Sequence, residues 1–145
     1  MFSKACEYGI RATLHIAEQA LNSDKKISVK DIAKAIESPE AFTAKILQIL
    51  TRNEIIYSVK GPSGGFYIPK EQLAKIKLSV IVKAIDGDQI YRGCGLGLSQ
   101  CNEEKPCPVH DKFKVIRDEL AKMLTQTSLL ELATGLDSGL TFLKR

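Results

Sequence analysis

Cys94, Cys101, Cys107 and His110 fall within one short stretch, spaced C-x6-C-x5-C, with the histidine three residues after the last cysteine. Three thiolates and an imidazole are soft and borderline donors, suited to zinc or to the iron of an iron–sulfur cluster. A disulfide network is the competing use, but three local cysteines leave one without a partner. Gly93, Gly95, Gly97, Pro106 and Pro108 surround these residues. Neither a regular helix nor a central strand survives that composition. The segment is therefore a loop that a bound metal centre would pin. Cys6 stands apart on an apolar helical stripe and reads as a small buried hydrophobe.

A loop of this kind depends on what flanks it. Residues 78–87 read as a short helix capped by Ser79 and stopped by Gly87, despite their β-branched side chains. Pro108 opens a longer amphipathic helix in which Val109, Phe113, Ile116, Leu120, Met123 and Thr127 recur at steps of four and three. That seam suits packing against another helix. Asp111, Lys112, Lys114, Asp118 and Lys122 occupy the other side. Such a helix can pack on its own core or pair with a second copy. We expect a homodimer, because twofold symmetry adds affinity and half-site geometry on DNA. Residues 128–133 read as a last short helix, with a loose tail from Thr134.

The first half carries a different pattern. Ser3 caps a helix running to about residue 21, with Phe2, Cys6, Ile10, Thr13/Leu14, Ala17 and Leu21 on one stripe. Residues 27–36 form a second, short helix, where Ser28 and Asp31 resemble a capping box. Glu37, Ser38 and Pro39 make a break of helix-turn-helix length, with Ser38 as cap and Pro39 at the first helical position. A third helix over 39–52 turns Phe42, Ile46, Ile49 and Leu50 inward and Thr43, Ala44, Lys45 and Gln48 outward. Strands at 55–59 and 66–68 flank the turn cluster 60–65, which is the hairpin wing of a winged helix. Residues 71–75 form a helical turn after it. Thr43, Lys45 and Gln48 are the candidates for base-edge contacts. Ser28, Lys60 and Ser63 are the candidates for phosphate contacts, with Gly64 among the wing glycines that let backbone approach a phosphate.

Composition permits this assignment without demanding it. The chain of 145 residues, 44% hydrophobic and 26% charged, can bury an ordinary core. Net charge is +4, and residues 41–70 hold Lys45, Arg52, Lys60 and Lys70 against one acid, Glu54. That bias allows an anionic partner such as nucleic acid. No apolar run reaches membrane-span length, and the first residues carry no signal-peptide core, so we expect a cytoplasmic protein with reduced thiols and no membrane partner. No phosphate-binding glycine motif or Ser/His/Asp arrangement supports an enzyme.

The order of parts is distinctive. Glu-Tyr-Gly-Ile-Arg-Ala lies on the first helix, Val-Lys-Asp-Ile-Ala on the second, and Thr-Arg-Asn-Glu-Ile-Ile ends the third. Ser-Val-Lys-Gly-Pro-Ser-Gly-Gly-Phe forms the wing, and three spaced cysteines precede a long helix. Over nearly its whole length the chain resembles the bacterial winged-helix regulators that include the iron–sulfur-assembly regulator IscR, the nitric-oxide-sensing repressor NsrR and the cysteine-metabolism repressor CymR. The resemblance implies a homodimeric transcription factor, a repressor in our reading, whose DNA binding is controlled by a cluster held by Cys94, Cys101 and Cys107. The fourth ligand stays open. One branch of the family uses a histidine at the place of His110 in a [2Fe-2S] site, and another uses an acid at the place of Glu7, supplied by the partner subunit. A [2Fe-2S] cluster ranks ahead of [4Fe-4S]. The first cysteine interval is one residue longer than the usual family spacing, a small change for a glycine-rich loop.

The expected architecture is thus mainly α with a small β-hairpin wing: a winged helix-turn-helix over residues 1–77, then a cluster-binding loop and long dimerisation helix over 78–145. The expected partner is a double-stranded DNA operator, and the signal is redox state, nitric oxide or iron supply. Two alternatives use the same residues. One is a winged-helix regulator with structural zinc in a Cys3His site. The other is a small iron–sulfur electron-transfer protein that docks through its basic face.

Overall fold

The computed structural model describes residues 1–144. Its elements follow in the order α1 (Lys4–Asn22), α2 (Val29–Ile36), α3 (Glu40–Arg52), β1 (Tyr57–Val59), β2 (Gly65–Tyr67), a 3-10 turn at Lys70–Gln72, α4 (Leu78–Asp86), α5 (Gln89–Arg92), α6 (His110–Gln126) and α7 (Leu129–Asp137). This is a mainly helical winged helix-turn-helix with a hairpin wing and an extended C-terminal helix.

Helix α1 is the hub. Ser3 Oγ accepts from the Cys6 amide at 3.0 Å and starts the helix. Its buried residues include Ala12 and Ile16 as well as Cys6, Thr13 and Ala17, so more than one face is covered. A single stripe was the wrong expectation because α2, α3, α4 and α7 all pack against this helix. Gly9 permits the α4 approach: a Cβ there would meet Ile85 Cδ1 at 2.2 Å. Arg11 donates through Nη2 to the Ile36 carbonyl at the end of α2 and lies 5.6 Å from the Tyr8 ring centre. The cation thus sits where the helix dipole favours it.

Ser28 Oγ accepts from the Asp31 amide at 3.1 Å, which starts α2. Glu37, with φ of 55°, ends it. Pro39, not Ser38, is the N-cap residue of α3, and the Ser38 hydroxyl pairs instead with the Thr43 hydroxyl. Phe42 meets Tyr8 of α1 edge-on at 5.6 Å. Leu47, which the outward/inward pattern passed over, is fully buried beside Ile46 and Leu50.

The wing is shorter than its β-branched run. Tyr57 pairs with Tyr67, Ser58 with Phe66 and Val59 with Gly65, while Ile55 and Ile56 are buried in the core before the strand begins. Ile27 adds an isolated bridge to β2: its amide donates to the Phe66 carbonyl at 2.9 Å and its carbonyl accepts from the Phe66 amide at 2.8 Å.

In the second half, α4 starts at Leu78 after Lys77, without Ser79 as cap, and stops at Gly87, whose φ is +78°. Helix α5 was not anticipated; four residues are too few to show a period. Helix α7 runs to Asp137, beyond the expected end, because Ala133 is buried and Leu132 and Leu136 pack on the same core. The Leu78 amide donates to the Thr127 carbonyl at 3.0 Å and the Leu129 amide to the Ile76 carbonyl at 2.9 Å. Residues on both sides of position 77, from Cys6 to Ala133, belong to one continuous core.

Candidate metal centre and nucleic-acid interface

Residues 93–109 leave α5 and enter α6, and those two helices pack together, so the loop begins and ends at one place. Gly95 lies flat on the Phe113 ring of α6; a Cβ there would come within 2.7 Å of the ring. The Gly97 amide closes a turn onto the Cys94 carbonyl at 3.0 Å, with φ of +73° at Gly97. Glu103 forms an ion pair with Lys114 of α6. Asn102 Oδ1 accepts from the Glu104 and Lys105 amides at 2.8 and 3.1 Å.

This framework brings the four predicted donors into one region. Cys94 Sγ accepts from the Leu96 amide at 3.4 Å. That bond, then the Leu98 amide, then the Cys107 thiol and Gly97 amide hold the Cys94 thiol below its ordinary pKa. Hydrogen bonds to a thiolate favour the form that ligates metal. Cys101 Sγ lies 3.5 Å from His110 Nδ1, and the His110 amide donates to the Cys107 carbonyl at 3.0 Å. His110 is only 7% exposed. Cys101 and His110 thus stand together by side chain, and the His110 backbone ties them to Cys107. Among the described residues, no three His, Cys, Asp or Glu side chains converge tightly enough for a single ion. All four cysteines carry free thiols.

The charge around these donors fits an anionic group. Arg117, two helical turns after His110, is 9% exposed, and its Nε has no hydrogen-bond partner. Its Nη1 donates to the Gly93 carbonyl at 3.3 Å. The adjacent Cys101 sulfur is the largest influence raising its pKa. A covered cation beside thiolates suits a cluster whose sulfurs and sulfides carry net negative charge. Sequence reasoning does not single out Arg117, because no local pattern marks a charge that the fold covers.

Glu7 lies elsewhere. It sits in the first turn of α1, paired with Lys4 at 2.8 Å. That hydrogen bond and charge hold its carboxyl below the usual range. Among the described residues, no hydrogen bond or ion pair joins it to the cysteine loop.

On α3, Lys45, Gln48 and Arg52 are exposed at steps of three and four. Side chains so spaced share a helix face free to meet a duplex. Thr43 does not join them. It is 1% exposed, and its hydroxyl donates to the Pro39 carbonyl at 2.8 Å while pairing with Ser38. The expectation of a base contact from Thr43 is corrected: the threonine locks the turn before the helix. Lys60 and Ser63 are exposed on the wing turn. Gly64 is there for a local reason, since a Cβ would meet the Val59 carbonyl oxygen at 2.1 Å. Its amide donates to the Gly61 carbonyl at 2.9 Å. The Ser28 oxygen caps α2, which leaves its hydroxyl proton free for a phosphate. No helix among the described residues is long and apolar enough to cross a membrane.

Residues 2–135 match the model of the family described as Rrf2, iron-dependent transcriptional regulator. A protein from Aquifex aeolicus named as an HTH-type transcriptional regulator is 32% identical over 134 residues, spanning 91% of this chain and 90% of that relative. Among solved structures, CymR, the global cysteine regulator of B. subtilis, superposes with a TM-score of 0.75 at 20% identity, covering 92% of this chain and 96% of that one. IscR of T. potens superposes with a TM-score of 0.75 at 16% identity, covering 97% and 91%. Those structural likenesses speak to the fold.

Proposed function

This chain belongs to the Rrf2 family of winged-helix, DNA-binding transcriptional regulators, proteins that are not enzymes, and from that premise we propose that it is a homodimeric repressor whose grip on its operator is set by an iron–sulfur cluster at Cys94, Cys101, Cys107 and His110. The observation that supports the reading is the 3.5 Å contact of Cys101 with His110, on a loop between α5 and α6 that also carries Cys94 and Cys107. Three thiolates and an imidazole supply four protein ligands, the number a two-iron cluster takes at two per iron. A single tetrahedral zinc would ask all four donors to converge on one point. Bound there, a cluster supplies a redox-active centre that is open to loss or alteration by redox change, nitric oxide or iron shortage.

The chain's own part is mechanical. Holding the donors together orders residues 93–109, and that ordering fixes the start of α6. Helix α6 turns Val115 and Ile116 outward, 65% and 67% exposed, along with Met123 and Val109. These side chains form the face on which a second copy pairs. A shift at the first turn of α6 then changes how two winged-helix heads present Lys45, Gln48 and Lys60 to successive grooves. Such a device shifts a population between competent and incompetent dimers.

Anaerobic purification tests the reading. A brown protein with iron and sulfide in equal amounts, whose operator affinity changes when the cluster is removed, is the expected result. A colourless protein with stoichiometric zinc, or a coloured protein whose DNA affinity ignores cluster removal, overturns it. The electron-transfer alternative predicts no salt-dependent binding to duplex, which a titration at two ionic strengths checks.

A further inference from the structure

We propose that the cleft between the end of α1 and the base of the wing is a binding site for a small organic anion: one carboxylate, sulfonate or phosphate group joined to an apolar body. The cleft shares no residue with the cysteine loop, the exposed face of α3 or the wing turn.

The backbone builds this cleft from three directions. Ser23 Oγ accepts from the Lys25 amide at 3.0 Å and bends the chain after α1. Ile27 then bridges Phe66 in the antiparallel sense, which sets Lys26 opposite Tyr67. Strand neighbours alternate faces, so Ile27 and Phe66 pack on the core while Lys26 and Tyr67 turn away from it. The Lys26 ammonium rests over the Tyr67 ring, 5.1 Å from its centre. Tyr67 leans on Tyr57, with ring centres 5.8 Å apart, and the Tyr57 hydroxyl donates to Gln72 Oε1 at 3.2 Å. That bond ties the 3-10 turn bearing Lys70 to the wing.

These parts enclose about 290 Å³, close to the lower end of the range for small-molecule sites, about 300–1,000 Å³. Ile16 and Ile68, 1% and 3% exposed, bring the core to its lining. Lys25, Lys26 and Lys70 bring three positive charges, against the two acids Asp24 and Glu71. Among the described residues, none of these five charges is engaged in an ion pair. Ammonium groups beside aliphatic side chains ask for an occupant with both characters. An inorganic ion would answer the lysines and leave Ile16 and Ile68 wet. A duplex presents phosphates along its outside and brings no apolar group to such a lining. A small organic anion does both: its charged group takes strong hydrogen bonds from the lysines, and its body removes apolar area from water. Lys26 is already held on an aromatic ring, so it loses little freedom in receiving the charge.

The test uses the full-length protein and a fluorescent probe of this class, anilinonaphthalene sulfonate, whose emission rises in apolar surroundings. Expected is saturable binding of one probe per chain. Phenylnaphthylamine, a similar body without the sulfonate, should bind about tenfold more weakly, the loss that follows from removing a charge-assisted contact. Lys26→Gln and Tyr67→Leu should each weaken the sulfonate probe severalfold. Lys70 is exposed, so Lys70→Gln gives the same reading from a folded protein should Tyr67→Leu unfold. Ile116→Ser alters the exposed face of α6 and should leave probe binding as in wild type. Binding that fails to saturate, or that is equally tight without the sulfonate, overturns the proposal. So does binding kept in Lys26→Gln and Lys70→Gln but lost in Ile116→Ser, which places the probe on α6. Unchanged probe binding in the lysine variants, with a fall in duplex affinity, also overturns it and gives the lysines to the DNA backbone.

Discussion

His110 Nδ1 stands 3.5 Å from the Cys101 sulfur, on a ring buried at the first residue of α6. Glu7, the other candidate fourth ligand, is committed to Lys4 at the start of α1. His110→Ala should therefore lose most of the visible absorption of the anaerobically purified protein or shift its maxima. Glu7→Ala should keep wild-type spectrum and iron content. Metal analysis and absorption on the two variants check this, and the reverse pattern would transfer the ligand role to Glu7 of the partner subunit.

Lys45 and Gln48 are exposed on α3, and Lys60 is exposed at the wing. Replacing Lys45 or Gln48 by alanine should weaken operator binding by about 1–3 kcal/mol and relax selectivity at one base pair. Lys60→Ala should weaken binding to all sequences alike and lower the salt slope by about one. Fluorescence anisotropy with operator and scrambled duplex at several salt concentrations separates the two behaviours.

Thr43 lies on the same helix and should behave differently. Its hydroxyl is spent on Pro39 and Ser38, under cover. Thr43→Ala should cost about 1 kcal/mol of stability, the net worth of a part-buried hydrogen bond. The ranking of DNA sequences should stay as in wild type. A variant of normal stability that reads a different base would return Thr43 to the DNA-facing set.

What the sequence makes legible divides along physical lines. Helices with caps are plain: Ser3, Ser28 and Ser128 each accept an amide three residues on. The cysteine loop announces itself because glycine and proline exclude any other structure. Thr43 misleads because a helical wheel gives direction only, whereas its turn folds Ser38 back over it. Arg117 is hidden for a related reason. Position 117 carries a charge, yet it lies seven residues from both His110 and Leu124, on the face of α6 that the rest of the fold buries. Long-range cover leaves no local trace. The extension of α7 to Asp137 follows the same rule, since α1 supplies the surface that holds it.

His15 gives the fold an acid limit. It is half-buried on α1, and burial pushes its pKa below the ordinary 6.5, with Asp31 opposing weakly. A folded-state pKa below the unfolded value means that the unfolded chain binds the proton more tightly. The contribution to stability is therefore fully present above about pH 6.5 and is lost as pH falls toward the depressed folded value. Urea denaturation of wild type should show a lower midpoint at about pH 5.5 than at about pH 7.5, and His15→Gln should flatten that difference. An equal slope in the variant would place the acid sensitivity elsewhere.

The outer side of α6 makes the sharpest prediction about assembly. Val115 and Ile116 are 65% and 67% exposed in one chain, while Leu124 on the inner side is fully buried. Two neighbouring aliphatic side chains left in water gain nothing for a monomer, but a second α6 packed across them removes that apolar area from solvent. Ile116→Asp should therefore convert the dimer to a monomer in sedimentation velocity. The monomer's own thermal unfolding should remain cooperative, because its inner face is untouched. Operator affinity should drop by more than the loss of either base-reading residue, since two half-sites can no longer be engaged together. Leu124→Ala separates the faces: it should cost about 2–5 kcal/mol of stability and, where the protein remains folded, leave the subunit count unchanged. A dimeric Ile116→Asp protein would show that the two copies meet through some other surface.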